Sequence, residues 1–194
     1  PTSITALIVT LQPILTNALA GKFLSESVSF KQWIGIILGF VGATLVLGFD
    51  IGSSLPGIGV ISSFIALIAI TTSTLWQKKI SNELPLSVSN MYQAIGGCLF
   101  HIIIIIIFTD PFINFTPTFF IAISHQIFLV SFGAFTILMF LIKNNSASKT
   151  VSIFFLIPPA TAVMAWLFLN EVLHSLDLIG FALATLGVYI ATRK

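Results

Sequence analysis

Few side chains in this sequence can carry covalent chemistry, and their spacing decides against it. Three histidines, one cysteine (Cys98) and six carboxylates are the residues best able to ligate a metal or act as general acid and base here. A nucleophile needs a base within hydrogen-bond reach, and a metal site needs several donors converging on one point. No G-x-S-x-G elbow and no H-E-x-x-H pair occurs, and a lone cysteine forms neither a disulfide nor a thiolate cluster. An enzyme and a metal or cofactor protein are therefore not expected. What remains is a set of neutral hydrogen-bonding side chains set in long apolar runs: Gln12, Thr16, Ser73, Trp76, Gln93, His101, Ser131 and Thr161. Their chemistry is recognition, offering donors and acceptors to a small solute. The competing reading is local. Serine and threonine hydroxyls bond back to their own helix, buried amides join neighbouring helices, and a tryptophan near a helix end anchors at the interface.

The elements that must position these groups follow from composition. The chain has 194 residues, 57% of them hydrophobic and only 7% charged, with a mean hydropathy of +1.10. A water-soluble domain carries about 25% charged residues, so a soluble globule is excluded. A net charge of +2 gives no footing for nucleic-acid binding. No signal peptide is recognisable at Pro1. A membrane helix needs about 20 mostly apolar residues, and seven stretches qualify: 3–21 (α1), 32–49 (α2), 57–77 (α3), 90–108 (α4), 119–142 (α5), 150–169 (α6) and 176–192 (α7). They are too long and too uniformly apolar for barrel strands.

The charges give direction. All six carboxylates (Glu26, Asp50, Glu83, Asp110, Glu171, Asp177) fall in connections or in a first helical turn. Lys22 and Lys31 lie between α1 and α2, Lys78 and Lys79 between α3 and α4, Lys143 and Lys149 between α5 and α6, and Arg193 with Lys194 after α7. The other three connections carry no Lys or Arg. The positive-inside rule makes the basic ends cytoplasmic, so α1 enters from outside and the C-terminus is inside.

Sliding the chain by 145 residues aligns 5–47 with 150–192 without a gap. Thr5 meets Thr150, Pro13 meets Pro158, Thr16 meets Thr161, Ala20 meets Ala165, Glu26 meets Glu171, Gly35 meets Gly180 and Gly42 meets Gly187. Apolar bias does not align proline, glutamate and two glycines. Equivalent helices stand five spans apart, so they cross in opposite directions, the plan of secondary transporters that open a central site alternately to either side. Pro13, Pro158 and Pro159 interrupt hydrogen bonding in mid-helix and are expected as symmetry-related hinges. Glu26 and Glu171 are candidate gates, though the preferred reading is that each stabilises the start of the following helix through its dipole. At 100° per residue, α3 gathers Ser62, Ala66, Ala69, Ser73, Trp76 and Gln77. In the same way α4 gathers Asn90, Gln93, Gly97 and His101, and α5 aligns Ser124 with Ser131.

Leu11-Gln12-Pro13 with Thr16, Phe23-Leu24-Ser25-Glu26, Gln32-Trp33, Gly35 and Gly42 resembles the end of an EamA-type repeat. Ile157-Pro158-Pro159, Thr161-Ala162, Met164-Ala165-Trp166, Asn170-Glu171, Gly180 and Gly187 looks like the same element again. The resemblance implies the drug/metabolite transporter superfamily, whose usual form has ten helices in two inverted five-helix repeats. The expected fold is thus an all-α polytopic membrane protein, seven helices of a ten-helix bundle. Residues 1–49 would be the last two helices of a first repeat and 50–194 a complete second one, with about 100 residues of the first repeat absent. The expected function is secondary transport of a small metabolite or drug-like molecule, without a cofactor, in the inner or plasma membrane. The alternative is a non-transporting remnant whose open packing faces are covered by lipid or by a second copy of the chain.

Overall fold

The structure is a computed structural model that describes residues 2–48, 57–108, 112–169, 172 and 174–193. Among the described residues there is no strand. Seven helices are long and apolar enough to cross a membrane: Thr5–Leu24 (α1), Phe30–Leu47 (α2), Gly57–Ile80 (α3), Leu86–Phe108 (α4), Pro117–Asn144 (α5), Ala147–Phe168 (α6) and Ser175–Thr192 (α7). Each expected stretch is present, and its ends move by at most four residues.

Local chemistry sets those ends. Ser25, at φ 54°, takes the left-handed conformation that closes α1. Helix α2 opens on a reciprocal cap, in which the Gln32 amide N–H donates to Ser29 Oγ (3.2 Å) and the Ser29 N–H donates to Gln32 Oε1 (2.9 Å). The repeat counterpart at α7 keeps half of this, with the His174 N–H donating to Asp177 Oδ2 at 2.7 Å. Thr116 caps α5 and Ser146 caps α6.

The chain forms two compact units, Pro1–Lys78 with Asn145–Lys194, and Lys79–Asn144. In the first, α2 and α7 run against each other along a seam of small residues. A Cβ on Gly35 would stand 2.6 Å from the Gly187 carbonyl oxygen, and one on Gly42 would stand 2.6 Å from that of Gly180. Without side chains the two backbones touch, the approach that dispersion and weak polar contacts exploit where lipid removes the hydrophobic drive. The 145-residue shift carries the pair Gly35–Gly187 onto Gly180–Gly42, so the seam reads the same from either repeat. Phe155 of α6 lies over Gly39, where a Cβ would come within 2.6 Å of the ring. With Ile36, Ala43, Val188 and Ala191 it makes the packed centre of the unit.

Two helices of this unit break at equivalent places. Helix α1 is interrupted at Thr10 and Leu11, between Thr2–Val9 and Gln12–Leu24. Helix α6 tightens into a 3₁₀ turn over Ile153–Leu156 before continuing as Ile157–Leu169. Pro13 and Pro159 have no N–H for the carbonyls of Val9 and Phe155, which is the cause expected from the sequence.

The second unit consists of α4 and α5. Only Ser89 is buried on α4, and Met139 and Ile142 on the last segment of α5. Ile102, Ile103, Ile105, Ile106 and Ile107 are all exposed, a surface suited to acyl chains. One feature lacks a sequence signal: residues Gln126–Ala134 of α5 wind as a π-helix with no proline to provoke it.

Candidate functional site

The first unit holds a cavity of about 580 Å³ where the two helix breaks meet. Helix α1 contributes Ala6, Val9, Thr10 and Gln12, and α2 its last residues Val46 and Leu47. Ile70 comes from α3, and α6 supplies Phe154, Ile157, Pro158, Thr161, Ala162 and Ala165. The walls are apolar apart from three groups. Gln12 Nε2 donates to Thr74 Oγ1 at 3.2 Å, which leaves the amide oxygen as an acceptor. Thr10 Oγ1 donates to the Ala6 carbonyl (2.7 Å) and Thr161 Oγ1 to that of Ile157 (2.9 Å). Each hydroxyl spends its proton on its own helix and keeps lone pairs to accept with.

Of the residues singled out from the sequence, Gln12, Thr161 and Pro158 come together on this cavity. Thr16 lies one turn below Gln12 and is fully buried, with no hydrogen-bond partner for its hydroxyl among the described residues. Pro13 and Pro159 are buried beside the breaks they cause. Ser73 and Trp76 are exposed, together with Ser62, Ala66 and Ala69. Gln77 of the expected set is buried, and the rest of the inward face is Ser63, Leu67, Thr71 and Thr74. Helix α3 carries two polar stripes about one residue apart, and hydrogen bonds select between them. Thr5 Oγ1 lies 3.0 Å from Ser63 Oγ, and Gln12 reaches Thr74.

The remaining candidates belong to the second unit. Ser131, within the π-helical stretch, lines a cavity of about 510 Å³ with Asn90, Thr136 and Met139. Gln93 Nε2 faces Ser89 Oγ at 3.4 Å and Met139 Sδ at 3.8 Å. His101 is exposed, its Nδ1 2.7 Å from the Gly97 carbonyl oxygen and its ring edge-on to Phe100.

Glu26 requires a correction. Its hydrogen bonds do not go to the helix that follows it, which Ser29 and Gln32 cap. Its carboxylate instead accepts the Ala147 N–H at 3.0 Å and the Ser148 hydroxyl at 3.5 Å, at the first turn of α6. A negative charge is favoured there by the helix dipole and the unpaired amides. A sequence gives the spacing from Glu26 to the next helix but no indication of one 121 residues on. Glu171 lies outside the described residues.

Two polar residues of this unit escaped the sequence reading. Thr74 fell on the unchosen stripe of α3. Asn17 is 2% exposed, and neither Nδ2 nor Oδ1 has a hydrogen-bond partner among the described residues. The rule that an amide at membrane depth must find partners would have flagged it, but it lies about 100° around the helix from Thr16.

Comparison with known proteins places this architecture. A family model described as the EamA-like transporter family matches residues 1–48 and 57–193. The chain is 27% identical over 202 residues to the uncharacterized transporter YvbV of Bacillus subtilis, covering 100% of this chain and 64% of that protein. It is 28% identical over 197 residues to the uncharacterized transporter YyaM of the same organism, covering 96% and 63%. A WAT1-related chloroplastic protein of Arabidopsis thaliana is 26% identical over 198 residues, covering 95% of the chain and 47% of the relative. The chain therefore spans less than two thirds of the length of these relatives. A solved crystal structure superposes on 99% of the chain and 67% of its own, with a TM-score of 0.81 at 16% identity, a likeness of fold. With a family model covering nearly all of its length and seven apolar helices in the matching fold, this chain is a multi-pass integral membrane protein and belongs to the EamA-like transporter family.

Proposed function

We propose that this chain forms part of a secondary transporter that moves a small, neutral, mostly apolar solute across the cell's inner or plasma membrane by alternating access. The observation that carries the reading is the cavity of about 580 Å³ at the paired helix breaks. Its volume is that of a small-molecule site, within about 300–1,000 Å³. Its polar groups act mainly as acceptors, so the fitting solute presents N–H or O–H donors on an apolar body. The family membership and the names of the relatives support transport as the class of activity.

In this reading Pro13, Pro158 and Pro159 are hinges, and Glu26 clasps the end of α6 while the cytoplasmic side is shut. Residues 1–49 supply the last two helices of one repeat and 50–194 the five of the other, with a cytoplasmic C-terminus and export as the direction. A pair of inverted units can rock about the site between two mirrored openings.

Proteoliposomes carrying the protein test this by counterflow, with a panel of radiolabelled neutral metabolites that bear a donor. At least one is expected to exchange faster than in protein-free liposomes. Gln12→Ala is expected to slow it by about tenfold, the worth of one hydrogen bond of about 1.4 kcal/mol. A panel that moves no faster than through bare lipid, with the protein shown folded, would overturn the proposal.

A further inference from the structure

A threonine inside a helix commonly donates its hydroxyl proton to the carbonyl one turn back. Thr10, Thr71, Thr161 and Thr192 each do so, to Ala6, Leu67, Ile157 and Val188, at 2.7–2.9 Å. Thr16 departs from the pattern. Gln12 stands one turn back, yet the Thr16 hydroxyl is fully buried with no hydrogen-bond partner among the described residues. Its repeat counterpart Thr161 makes the bond that Thr16 lacks. The next residue is in the same condition. Asn17 is 2% exposed, and neither end of its amide has a partner among the described residues. Both ends are orphaned, so turning the amide over satisfies nothing.

Three polar atoms on consecutive residues thus point into protein. Pro13 and Ala20, on the same buried face of α1, flank them. This half of the helix, Gln12–Leu24, packs against the first turns of α6, Ala147–Ser152. Ser148 and Ser152 are buried there as well. Ser152 Oγ donates to the Ser148 carbonyl at 2.7 Å and Ser148 Oγ to Glu26 Oε2 at 3.5 Å, so both hydroxyls keep lone pairs. Helices of this chain alone already bury the whole layer.

The partner that these atoms call for has a definite chemistry. It accepts from Asn17 Nδ2, donates to Asn17 Oδ1 and reaches the Thr16 hydroxyl, in a place closed to bulk solvent. A hard cation takes oxygen ligands only and would leave Nδ2 as it is. Water donates and accepts together, and a buried water typically makes about three hydrogen bonds to groups otherwise unpaired. We infer that Thr16 and Asn17 hold a buried water molecule between α1 and the first turns of α6. Along α1 it lies between Gln12, on the cavity, and Glu26, past the helix end. The contact between the two broken helices is therefore wet at its core. Leucine at position 17 removes the water together with the amide that needs it, so its effect on stability has the opposite sign to that of a lost bond. The water needs no solute and no transport cycle to be there.

Nuclear magnetic resonance of the full-length chain in lipid bilayers tests this. The protein is labelled with [15N]asparagine, and the side-chain signal of Asn17 is identified by its loss in Asn17→Leu. Magnetisation is then passed from water to the amide protons. The Asn17 side chain is expected to receive it several-fold faster than the backbone N–H of the same residue. No excess over that backbone N–H overturns the water. Thr16→Val with Ser152→Ala removes exchangeable hydroxyl protons from the layer, and unchanged backbone signals of the other asparagines show that the variant is folded. The transfer is expected to persist in it, whereas its loss means relay through a hydroxyl and overturns the water. Replacing sodium chloride by choline chloride is expected to leave the Asn17 signal in place. A shift there would assign the site to a cation instead.

Discussion

Two amides on α1, five residues apart, make opposite contributions. Gln12 is paired with Thr74, so Gln12→Leu should destabilise the protein by about 1 kcal/mol, within the range of hydrogen bonds between membrane helices. Asn17 is buried and unpaired, so Asn17→Leu should stabilise it by about 1–3 kcal/mol. Unfolding of both variants in detergent checks the signs, and a like sign for the two would refute the distinction. Glu26 makes a second contrast. Glu26→Ala should cost about 1 kcal/mol and speed hydrogen exchange at the Ala147 amide, whereas Glu26→Gln, which still accepts, should do less. Gln12, Pro13 and Thr161 were legible in the sequence because a polar or helix-breaking residue in an apolar run is conspicuous. The partner of Glu26 was not, because a cap donated across 121 residues leaves no local pattern.

The elements succeed or fail by what they pack against. A Cβ on Gly187 would collide with the Gly39 backbone and stand 2.6 Å from the Gly35 carbonyl oxygen, so Gly187→Ala must part α2 from α7, at roughly 1–3 kcal/mol by analogy with overpacked cores. Gly96→Ala, with nothing within 4 Å, should be neutral or mildly favourable. Thermal melts of the purified variants separate the two cases. The seven spans and the breaks in α1 and α6 could be read in advance, because length, hydropathy and proline act locally. The inward face of α3 could not. Ser62 and Ser63 both start plausible polar stripes, and only the positions of Thr5 and Gln12 choose between them. The π-helical stretch of α5 has no such chooser in its own residues.

For the whole molecule, charge and repetition carry the argument. The eight basic residues predict that an impermeant amine reagent reaches Lys22, Lys31, Lys78, Lys79, Lys143 and Lys149 from the cytoplasmic face alone. Modification of any of them from outside, read by mass spectrometry of intact cells, would reverse or break the proposed topology. The proposed inversion follows from the odd number of spans that separates matching residues. The glycine seam makes one more point. Its contacts exchange with themselves when one repeat is laid on the other, so the seam meets either half of the molecule with the same face. A bearing placed on its own axis of rotation has no reason to come apart when the machine turns. In the proposed transport cycle, amides along Gly35–Gly42 and Gly180–Gly187 should therefore exchange equally slowly whichever side the site faces.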